Sequence, residues 1–528
     1  MGVNVSRIRL GAILVCALWL AACGGDRDSP AAAPEVAADL PLASQLLLVE
    51  SGQAAGILTA DAPVAGPTPF IASVTLRGSA MLHASTIRFT IAPQPGSASK
   101  AVSASYSIAY LTRRGYASPG SDAVQVPVFG LYDGYANAVA LAIGFDDGTS
   151  YTLPGTIQTA AYVDPNQIYS QGSVVQARAP GSALGFDFLY LKSNYGSPVV
   201  IDTDGRTRWV GPGVIDTLST DFQDGGFIMG AGASPLIYRV EMDGAVTQTG
   251  SLASSGVVDF NHDIEPGKVS LLDNVDATID GVSQIESTAQ EFTTDGTVLA
   301  TWDMAKIISA AMVAGGDDPA QFVRPGIDWF HLNTAIYDAS DDSVILSSRE
   351  NFVIKLDYTT GAIRWIFGDP TKYWYTFPSL RSKALTLVGP GLVPIGQHSV
   401  GIAPDGSLLL FNDGFASLNQ PAGAPAGASR TYSAVSDYVI DATAATATQA
   451  WSFDHGQTLY SSICSSARAA ADGSVLVDYA EADSGATTHI VGLDPNHGQV
   501  FEYTYPNAAG CNTAWNAQPI AMESLAYD

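Results

Sequence analysis

Residues 331–365 read HLNTAIYDASDDSVILSSRENFVIKLDYTTGAIRW and contain the pattern that decides the fold. Asp341 and Asp342 separate two apolar runs, and the turn residues from Tyr358 to Gly361 separate a third run from a fourth that carries Trp365. Acidic, polar and glycine residues between short apolar runs indicate β-hairpins. Two successive hairpins predict one four-stranded antiparallel sheet.

Both hairpin patterns recur along the chain. The second pattern, often with a tryptophan after the turn, occurs six times, at Val200–Gly205 with Trp209, Val240–Gly244, Phe292–Gly296 with Trp302, Leu356–Gly361 with Trp365, Ile440–Thr443 with Trp451, and Leu493–Gly498 with Phe501. The first pattern occurs at Pro266-Gly267, Asp341-Asp342, Asp405-Gly406 and Asp472-Gly473. Units of about 40 to 80 residues with four strands each are typical of β-propellers. We therefore predict an all-β protein with a six-bladed β-propeller over residues 166–528, interrupted by a short helix at Met304–Val313.

Residues 40–165 show a different pattern, with short alternating strands broken by Gly, Pro and Ser. The clearest runs are Ser73–Arg77, Thr86–Ile91, Ser105–Tyr110 and Ala138–Ile143. Period-two strands at short intervals predict an N-terminal β-sandwich domain. We expect this domain to act as scaffold or partner surface.

The first 22 residues are typical of a secretory signal peptide of the lipoprotein type. Arg7 and Arg9 precede an apolar run from Leu10 to Leu20, which ends at Ala21, Ala22 and Cys23. We predict lipidation at Cys23, a flexible tether over residues 23–39, and a lipid-anchored protein that faces the periplasm, in the outer membrane because glycine follows the cysteine. An ordinary cleaved signal that contains a cysteine is the alternative.

The net charge restricts the possible ligands, and the cysteine content restricts the possible disulfides. The chain has 51 acidic and 24 basic side chains and a formal net charge of −27, so it repels nucleic acid, and an anionic substrate would need local cations. Cys16 lies in the signal segment and Cys23 is the predicted lipidation site, so only Cys464 and Cys511 remain as a candidate pair, and the sequence leaves open whether they form a disulfide.

Three of the seven histidines stand at the same place in consecutive repeats, just before the first hairpin of each unit. They are His262, His331 and His398. The first strand of each propeller blade borders the central channel, so we expect the three side chains to converge there. Taken singly, each histidine could instead be satisfied within the packing of its blade.

Around these histidines the sequence resembles the PAPS-independent bacterial arylsulfate sulfotransferases. The resemblance rests on Asp328–Ala335, Ser347–Asp357, Trp365–Asp369 and Gly396–His398, and it continues into Val126–Tyr132. It implies that His398 is a nucleophile that becomes transiently sulfurylated, that His262, His331 and Arg349 belong to the catalytic site, and that Asn333 binds substrate. It also implies an aryl sulfate donor, a phenolic acceptor and no cofactor, and it allows a homodimer.

The residue types suit this chemistry. A neutral imidazole can attack sulfur near pH 7 without first losing a proton, and a covalent intermediate predicts ping-pong kinetics. Arg349 and Asn333 could stabilise the sulfuryl oxygens, and His331 or His262 could exchange the phenolic proton. No phosphate-binding glycine loop or dinucleotide motif occurs, so a nucleotide donor is not indicated. The aromatic segment Tyr373–Pro378 could form a wall for the phenyl ring or could serve loop packing.

Two other functions remain open from the sequence. The three histidines could be ligands of a zinc or similar ion in a metal-dependent propeller hydrolase. Alternatively, the propeller could bind a ligand or partner without catalysis, since this architecture serves many functions.

Overall fold

The computed structural model describes residues 47–49, 56–193, 198–213, 219–507 and 510–528. The predicted signal peptide (residues 1–22), the tether (residues 23–39) and the lipidation site Cys23 lie outside these residues. Among the described residues, no helix has the length and apolar character needed to cross a membrane.

β-Strands are the main secondary structure of the described residues, as the sequence predicts. Helices are few and short, and the longest, α2, confirms the helix expected at Met304–Val313. The helices are α1 (Ile108–Arg113), α2 (Met304–Ala314), α3 (Pro378–Arg381) and α4 (Ala482–Gly485). Single 3₁₀ turns span Ser79–His83, Tyr169–Gln171, Ala253–Ser255, Pro319–Gln321, Tyr373–Thr376 and His455–Gln457.

The N-terminal part forms two five-stranded sheets. Sheet A has the order β1-β2-β4-β3 with β7 on β4, and sheet B has the order β36-β6-β5-β8-β9. Burial alternates residue by residue along β8 because one face packs on the core. The strands are β1 (Leu47–Val49), β2 (Gly56–Ala60), β3 (Val64–Ala65), β4 (Ile71–Arg77), β5 (Ala84–Ile91), β6 (Val102–Ser107), β7 (Ala123–Phe129), β8 (Ala136–Phe145), β9 (Ser150–Gln158) and the C-terminal β36 (Leu525–Tyr527).

The strand predicted at Ser105–Tyr110 is wrong in its second half. Strand β6 ends at Ser107, and helix α1 begins at Ile108. The Ser107 hydroxyl accepts a hydrogen bond from the Tyr110 backbone N–H at 3.0 Å. This N-cap satisfies a donor at the start of the helix and outweighs the β-favouring pattern.

Six further sheets follow, each built on four antiparallel strands. We number them I to VI. Sheet I contains β11 (Phe188–Lys192), β12 (Val199–Asp202), β13 (Thr207–Val210) and β35 (Asn516–Ile520); sheet II β14 (Ser219–Gln223), β15 (Gly226–Gly230), β16 (Leu236–Glu241) and β17 (Val246–Ser251); sheet III β18 (Val257–Pro266), β19 (Leu271–Ile279), β20 (Val282–Phe292) and β21 (Val298–Asp303). Sheet IV contains β22 (Leu332–Asp338), β23 (Ser343–Ser348), β24 (Val353–Asp357) and β25 (Ile363–Phe367); sheet V β27 (His398–Ile402), β28 (Leu408–Asn412), β29 (Ala434–Asp441) and β30 (Thr446–Phe453), with β26 (Thr386–Leu387) at its edge; sheet VI β31 (Ser466–Ala469), β32 (Val475–Glu481), β33 (Thr487–Leu493) and β34 (Gln499–Pro506), with β10 (Ser173–Gln176) at its edge.

The strand pairing confirms the hairpins predicted from the sequence. The six recurring turns join the last two strands of each sheet, and the four others join the first two strands of sheets III to VI. Sheet II has an additional hairpin at Asp224–Gly225 that the sequence analysis missed. Sheet I has no such hairpin, because β35 from the C-terminus pairs with β11 in its place.

The first strands of successive sheets contact one another in the order β14, β18, β22, β27, β31 and β35. This arrangement brings residues that are far apart in sequence to one region. His262 lies on β18, His331 directly precedes β22, and His398 begins β27.

The described residues form one compact unit, and the predicted boundary at residue 165 lies within it. One hydrophobic cluster joins sheets A and B to sheets I and II, with Phe89 and Trp209 among its fully buried members. Strand β36 pairs in parallel with β6, and Tyr527 stacks on Tyr106 at 5.1 Å between ring centroids. The C-terminus therefore stabilises the N-terminal sheets.

Candidate active site

The three histidines in register converge. The ring centroids of His262 and His331 are 5.2 Å apart, those of His262 and His398 are 6.0 Å apart, and those of His331 and His398 are 6.4 Å apart. The convergence expected from the repeat is therefore present, although almost 70 residues separate each histidine from the next.

A break in strand pairing lies at each of the three positions. The pairing register shifts between Asn261 and Glu265, between Leu332 and Thr334, and between His398 and Gly401. The backbone is left-handed at His262 (φ 55°), His331 (φ 50°) and Ser399 (φ 50°). β-Bulges turn side chains out of the regular pleat, and left-handed non-glycine residues cluster at functional sites. These bulges explain how edge residues of three sheets point into one cluster.

His398 is buried, and its hydrogen bond fixes which ring nitrogen is free. Its Nδ1 lies 3.1 Å from the backbone carbonyl oxygen of Gly396. A carbonyl can only accept, so we assign the ring proton to Nδ1 and leave a lone pair on Nε2. Burial, reinforced by nearby cationic groups, holds the pKa of His398 well below its usual range. The ring is therefore neutral at pH 7.

Asp413 contributes a buried carboxyl group beside the same ring. Its Oδ2 lies 2.9 Å from His398 Nδ1, and the side chain is fully buried. Burial raises the pKa of Asp413 well above its usual range. An uncharged acid beside a neutral imidazole avoids the cost of an unpaired buried charge.

His331 is held in the opposite charge state. Its Nδ1 lies 2.7 Å from Glu286 Oε2 and 2.7 Å from Asp328 Oδ2. Burial opposes protonation, but the two carboxylates outweigh it and raise the pKa of His331 to about 10. The cluster therefore contains one neutral imidazole and one imidazolium, whose Nε2–H is not engaged by these carboxylates.

Glu286 also approaches the third histidine. Its Oε2 lies 3.6 Å from His262 Nε2. Burial acts to raise the pKa of Glu286, but the two histidines outweigh it and keep the carboxylate ionised. The His262 ring also stacks on Trp515, with 5.9 Å between ring centroids and an interplanar angle of 20°.

Arg349 and Asn333 are both buried beside the cluster. Arg349 pairs with Glu350 at 2.9 Å and donates from Nη2 to the Ser462 carbonyl at 3.3 Å. Asn333 donates from Nδ2 to the carbonyl of Gln397 at 2.8 Å. Asn333 thus fixes the peptide that precedes His398, while its buried Oδ1 has no partner among the described residues.

The ligand atoms of His262, Glu286 and His331 lie within 4.8 Å of one another, an arrangement that could hold a metal ion. Two imidazoles and a carboxylate suit Zn²⁺ or a similar ion. This group differs from the three-histidine site considered from the sequence, because Glu286 takes the place of His398.

A sequence model of the family described as Arylsulfotransferase (ASST) matches residues 174–516, which is more than half of the chain. The chain belongs to the arylsulfotransferase family. It is 26% identical over 491 residues to the arylsulfate sulfotransferase AssT of Escherichia coli O6:H1 (strain CFT073), covering 72% of this chain and 79% of that protein. It is 27% identical over 455 residues to the AssT of Lelliottia amnigena, covering 64% and 73%.

Two solved structures are also similar to this arylsulfotransferase. A protein of unknown function from Bacteroides thetaiotaomicron aligns with 82% of this chain and 94% of its own, with 10% identity and a TM-score of 0.34. The β-propeller domain of Cps50 (Swd1) from Myceliophteria thermophila aligns with 62% of this chain and 87% of its own, with 11% identity and a TM-score of 0.32.

Sequence reasoning missed several groups around the histidine cluster of this arylsulfotransferase. Asp328 is the first residue of the family motif Asp328–Ala335 and lies three residues before His331. This proximity is a signal that could have identified it. Glu286, Asp413 and Trp515 carry no repeat signal, because their positions do not recur between the sheets. Glu286 lies in the middle of β20, Asp413 directly follows β28, and Trp515 directly precedes β35. Only the folded geometry brings them to the cluster.

The aromatic segment at Tyr373–Pro378 packs within the protein. Trp374 is buried and donates from Nε1 to the Asp369 carbonyl at 3.1 Å, and Phe377 packs against Phe322 at 5.5 Å between centroids. These contacts match loop packing, the second of the two interpretations offered for this segment.

Cys464 and Cys511 form a disulfide with a Cα–Cα distance of 6.6 Å. The bond joins the loop before β31 to the loop before β35. Both loops reach the candidate site, since the Ser462 carbonyl accepts a hydrogen bond from Arg349 and Trp515 stacks on His262.

Proposed function

We propose that this arylsulfotransferase moves a sulfuryl group from a phenolic sulfate ester to a phenolic acceptor, by a ping-pong mechanism through a sulfohistidine on His398. The observation that carries the proposal is the free Nε2 of a buried, neutral imidazole beside cationic groups. Such a nitrogen is nucleophilic at neutral pH, and the cations favour an anionic ester.

The proposed architecture is a six-bladed β-propeller that carries an N-terminal β-sandwich. The assignment of six blades rests on six four-stranded sheets, whose first strands contact one another one after the next. The assignment of a β-sandwich rests on sheets A and B. The pairing of β35 with β11 would close the ring with the two ends of the repeat region. Tyr190 supports closure between sheets I and II, since its hydroxyl lies 3.1 Å from the Thr220 carbonyl and 3.0 Å from Gln518 Oε1.

In the first half-reaction, the Nε2 lone pair of His398 attacks sulfur opposite the leaving oxygen. The N–S bond forms as the S–O bond to the aryl group breaks, and the electron pair leaves on the phenolate oxygen. Nδ1 keeps its proton and its hydrogen bond to Gly396. The fixed ring orientation supplies the alignment that in-line displacement requires.

His331 is the group we propose to protonate the leaving phenolate. Glu286 and Asp328 hold its Nδ1, so Nε2–H is the donor that remains. A pKa of about 10 lies close to that of an ordinary phenol, which suits proton transfer in both directions. In the second half-reaction the resulting neutral His331 takes the proton of the acceptor phenol, whose oxygen attacks sulfur and releases His398.

Arg349 would stabilise the sulfuryl oxygens, and Asn333 would act chiefly by positioning. A buried guanidinium provides fixed donors where charge is spread over equatorial oxygens. The hydrogen bond from Asn333 to Gln397 supports a role in holding the backbone of the nucleophile. We further propose that no PAPS or other cofactor is required.

For the cellular setting we propose a lipid anchor at Cys23 and a position facing the periplasm. The signal-like first 22 residues support this assignment, and an oxidising compartment suits the Cys464–Cys511 disulfide. The partners would be the small aryl sulfate and phenol, with no nucleic acid, and the chain could form a homodimer.

The His262–Glu286–His331 group favours one second candidate, a metal-dependent hydrolase. In that enzyme the ion would activate water, and phenol would not be needed as acceptor. Chelation would then abolish activity, whereas the proposed transferase would keep it.

Initial-rate kinetics test the proposed function. Purified protein is given 4-nitrophenyl sulfate at several concentrations of added phenol, with and without a chelator. Ping-pong transfer predicts parallel double-reciprocal lines, stimulation by phenol and no effect of chelation. Release that depends on water alone would identify a sulfatase, and unchanged rates in His398→Ala would overturn the role of the nucleophile.

A further inference from the structure

Trp515 presents an aromatic ring to the histidine cluster and is not used by the mechanism above. Its ring lies nearly parallel to that of His262, and its buried Nε1–H has no acceptor among the described residues. An aryl sulfate needs an apolar wall beside the reacting centre, because most of the binding area of the ester is its ring. The indole offers this wall.

Backbone and side-chain contacts fix Trp515 from two sides. Its N–H donates to the Lys192 carbonyl at 3.1 Å, and its carbonyl accepts from Ser465 N–H at 3.0 Å. The next residue, Asn516, donates to Asp263 at 2.9 Å, and Asp263 directly follows His262. Two consecutive residues of β18, His262 and Asp263, thus contact Trp515 and the first residue of β35, respectively.

The disulfide stabilises the loops that carry these contacts. Cys464, Ser465 and Cys511 all have left-handed backbone conformations, with φ of 59°, 77° and 61°. Such conformations are unfavourable for non-glycine residues and persist only where the surroundings impose them. The bond between Cys464 and Cys511 joins the two loops close to the Ser465–Trp515 hydrogen bond.

We propose that Trp515 is the wall that binds the aryl ring of the substrates, and that the Cys464–Cys511 disulfide positions it. The proposal rests on the proposed transfer of aryl sulfates. Trp515 would contact substrate directly, whereas the two cysteines act through Trp515 and are positioning residues. The disulfide would therefore act on recognition of the ring through Trp515.

A double-mutant cycle on binding tests the proposal without relying on turnover. In a His398→Asn background, which blocks the chemistry, calorimetry measures the Kd of phenyl sulfate and of methyl sulfate. We expect Trp515→Ala to weaken phenyl sulfate about threefold to tenfold, because an aromatic contact is lost, and to leave methyl sulfate unchanged. Trp515→Phe should restore most of the affinity for phenyl sulfate.

Variants without the two cysteines test whether the disulfide acts through Trp515. Replacement of both cysteines by serine should weaken phenyl sulfate to a similar extent, and should add nothing in the presence of Trp515→Ala. If the cysteine variant does not fold, reduction of the folded protein with dithiothreitol provides the same comparison.

Three results would overturn the inference: additive effects of the two changes, equal weakening of both esters, or no effect of Trp515→Ala. Failure of the proposed function is separate, since it would show as absence of phenol-stimulated cleavage by the wild-type protein.

Discussion

Within the histidine cluster, charge state distinguishes residues of identical type. His398 donates from Nδ1 to a carbonyl and stays neutral, whereas His331 lies between two carboxylates and stays protonated. The repeat predicted that these rings converge, because equal positions in successive sheets meet. It could not predict the protonation of these rings. Their carboxyl neighbours include Glu286 and Asp413, which do not stand at equivalent positions of the repeats.

Replacement of His331 by Gln should lower kcat about a hundredfold for phenyl sulfate, because the leaving phenolate loses its proton donor. The loss should be smaller for 4-nitrophenyl sulfate, whose leaving group needs less protonation. Steady-state kinetics with both donors measure the difference. His83→Gln, at a partly exposed histidine outside the site, is the matched control and should have no effect. Equal losses with both donors would contradict the role of His331 as proton donor.

The pH dependence tests the same assignment. Since His331 acts in its protonated form and its pKa is raised to about 10, donor cleavage should fall as pH rises through about 10. His398 has a lowered pKa, so no corresponding loss of nucleophile is expected as pH falls from 8 to about 6.5. Glu286→Gln removes one carboxylate that favours the imidazolium, so the alkaline fall should begin at lower pH. An unshifted alkaline limb in this variant, measured where circular dichroism shows a folded protein, would rule out the assignment.

At the level of strands and turns, local sequence determined most of the pairing. Turns such as Asp405-Gly406 and Leu493–Gly498 combine acidic residues with glycine and mark hairpins directly. Two features escaped prediction for physical reasons. The Ser107 cap converts a strand pattern into a helix start, and β35 pairs with β11 across more than 300 residues, which no local signal encodes.

The C-terminal strand β36 offers a test of how the two ends of the chain stabilise each other. Tyr527 is buried, stacks on Tyr106 and donates to the Gly225 carbonyl at 2.7 Å. Tyr527→Ala should lower the free energy of unfolding by about 3–5 kcal/mol through the cavity it leaves. Tyr527→Phe keeps the ring and should cost about 1 kcal/mol, the value of the hydrogen bond. Urea denaturation followed by tryptophan fluorescence measures both, and equal stability of Tyr527→Ala and wild type would contradict this anchoring role.

For the whole molecule, the acidic composition and the cations of the site have opposite effects on an anionic substrate. A net charge of −27 repels a sulfate ester at long range, while Arg349 and His331 supply positive charge inside the site. The sequence predicted this need for local cations from composition alone. It could not show that Arg349 is buried, where screening by salt is weak.

Ionic strength should therefore affect donor and acceptor differently. Salt shortens the screening length from about 10 Å at 0.1 M to about 3 Å at 1 M, which weakens the long-range repulsion first. We expect kcat/KM for the anionic donor to rise with salt and kcat/KM for the neutral phenol to stay constant. Initial rates in NaCl at constant pH measure both, and a donor kcat/KM that falls with salt would contradict this balance.

The covalent step on His398 is the central claim, and peptide mass spectrometry tests it most directly. The protein is incubated with 4-nitrophenyl sulfate without acceptor, quenched at alkaline pH and digested. We predict a peptide that contains His398 with the added mass of one SO₃ group, which disappears when phenol is added before the quench. Turnover that continues with His398 unmodified, or modification of a different residue, would contradict the mechanism.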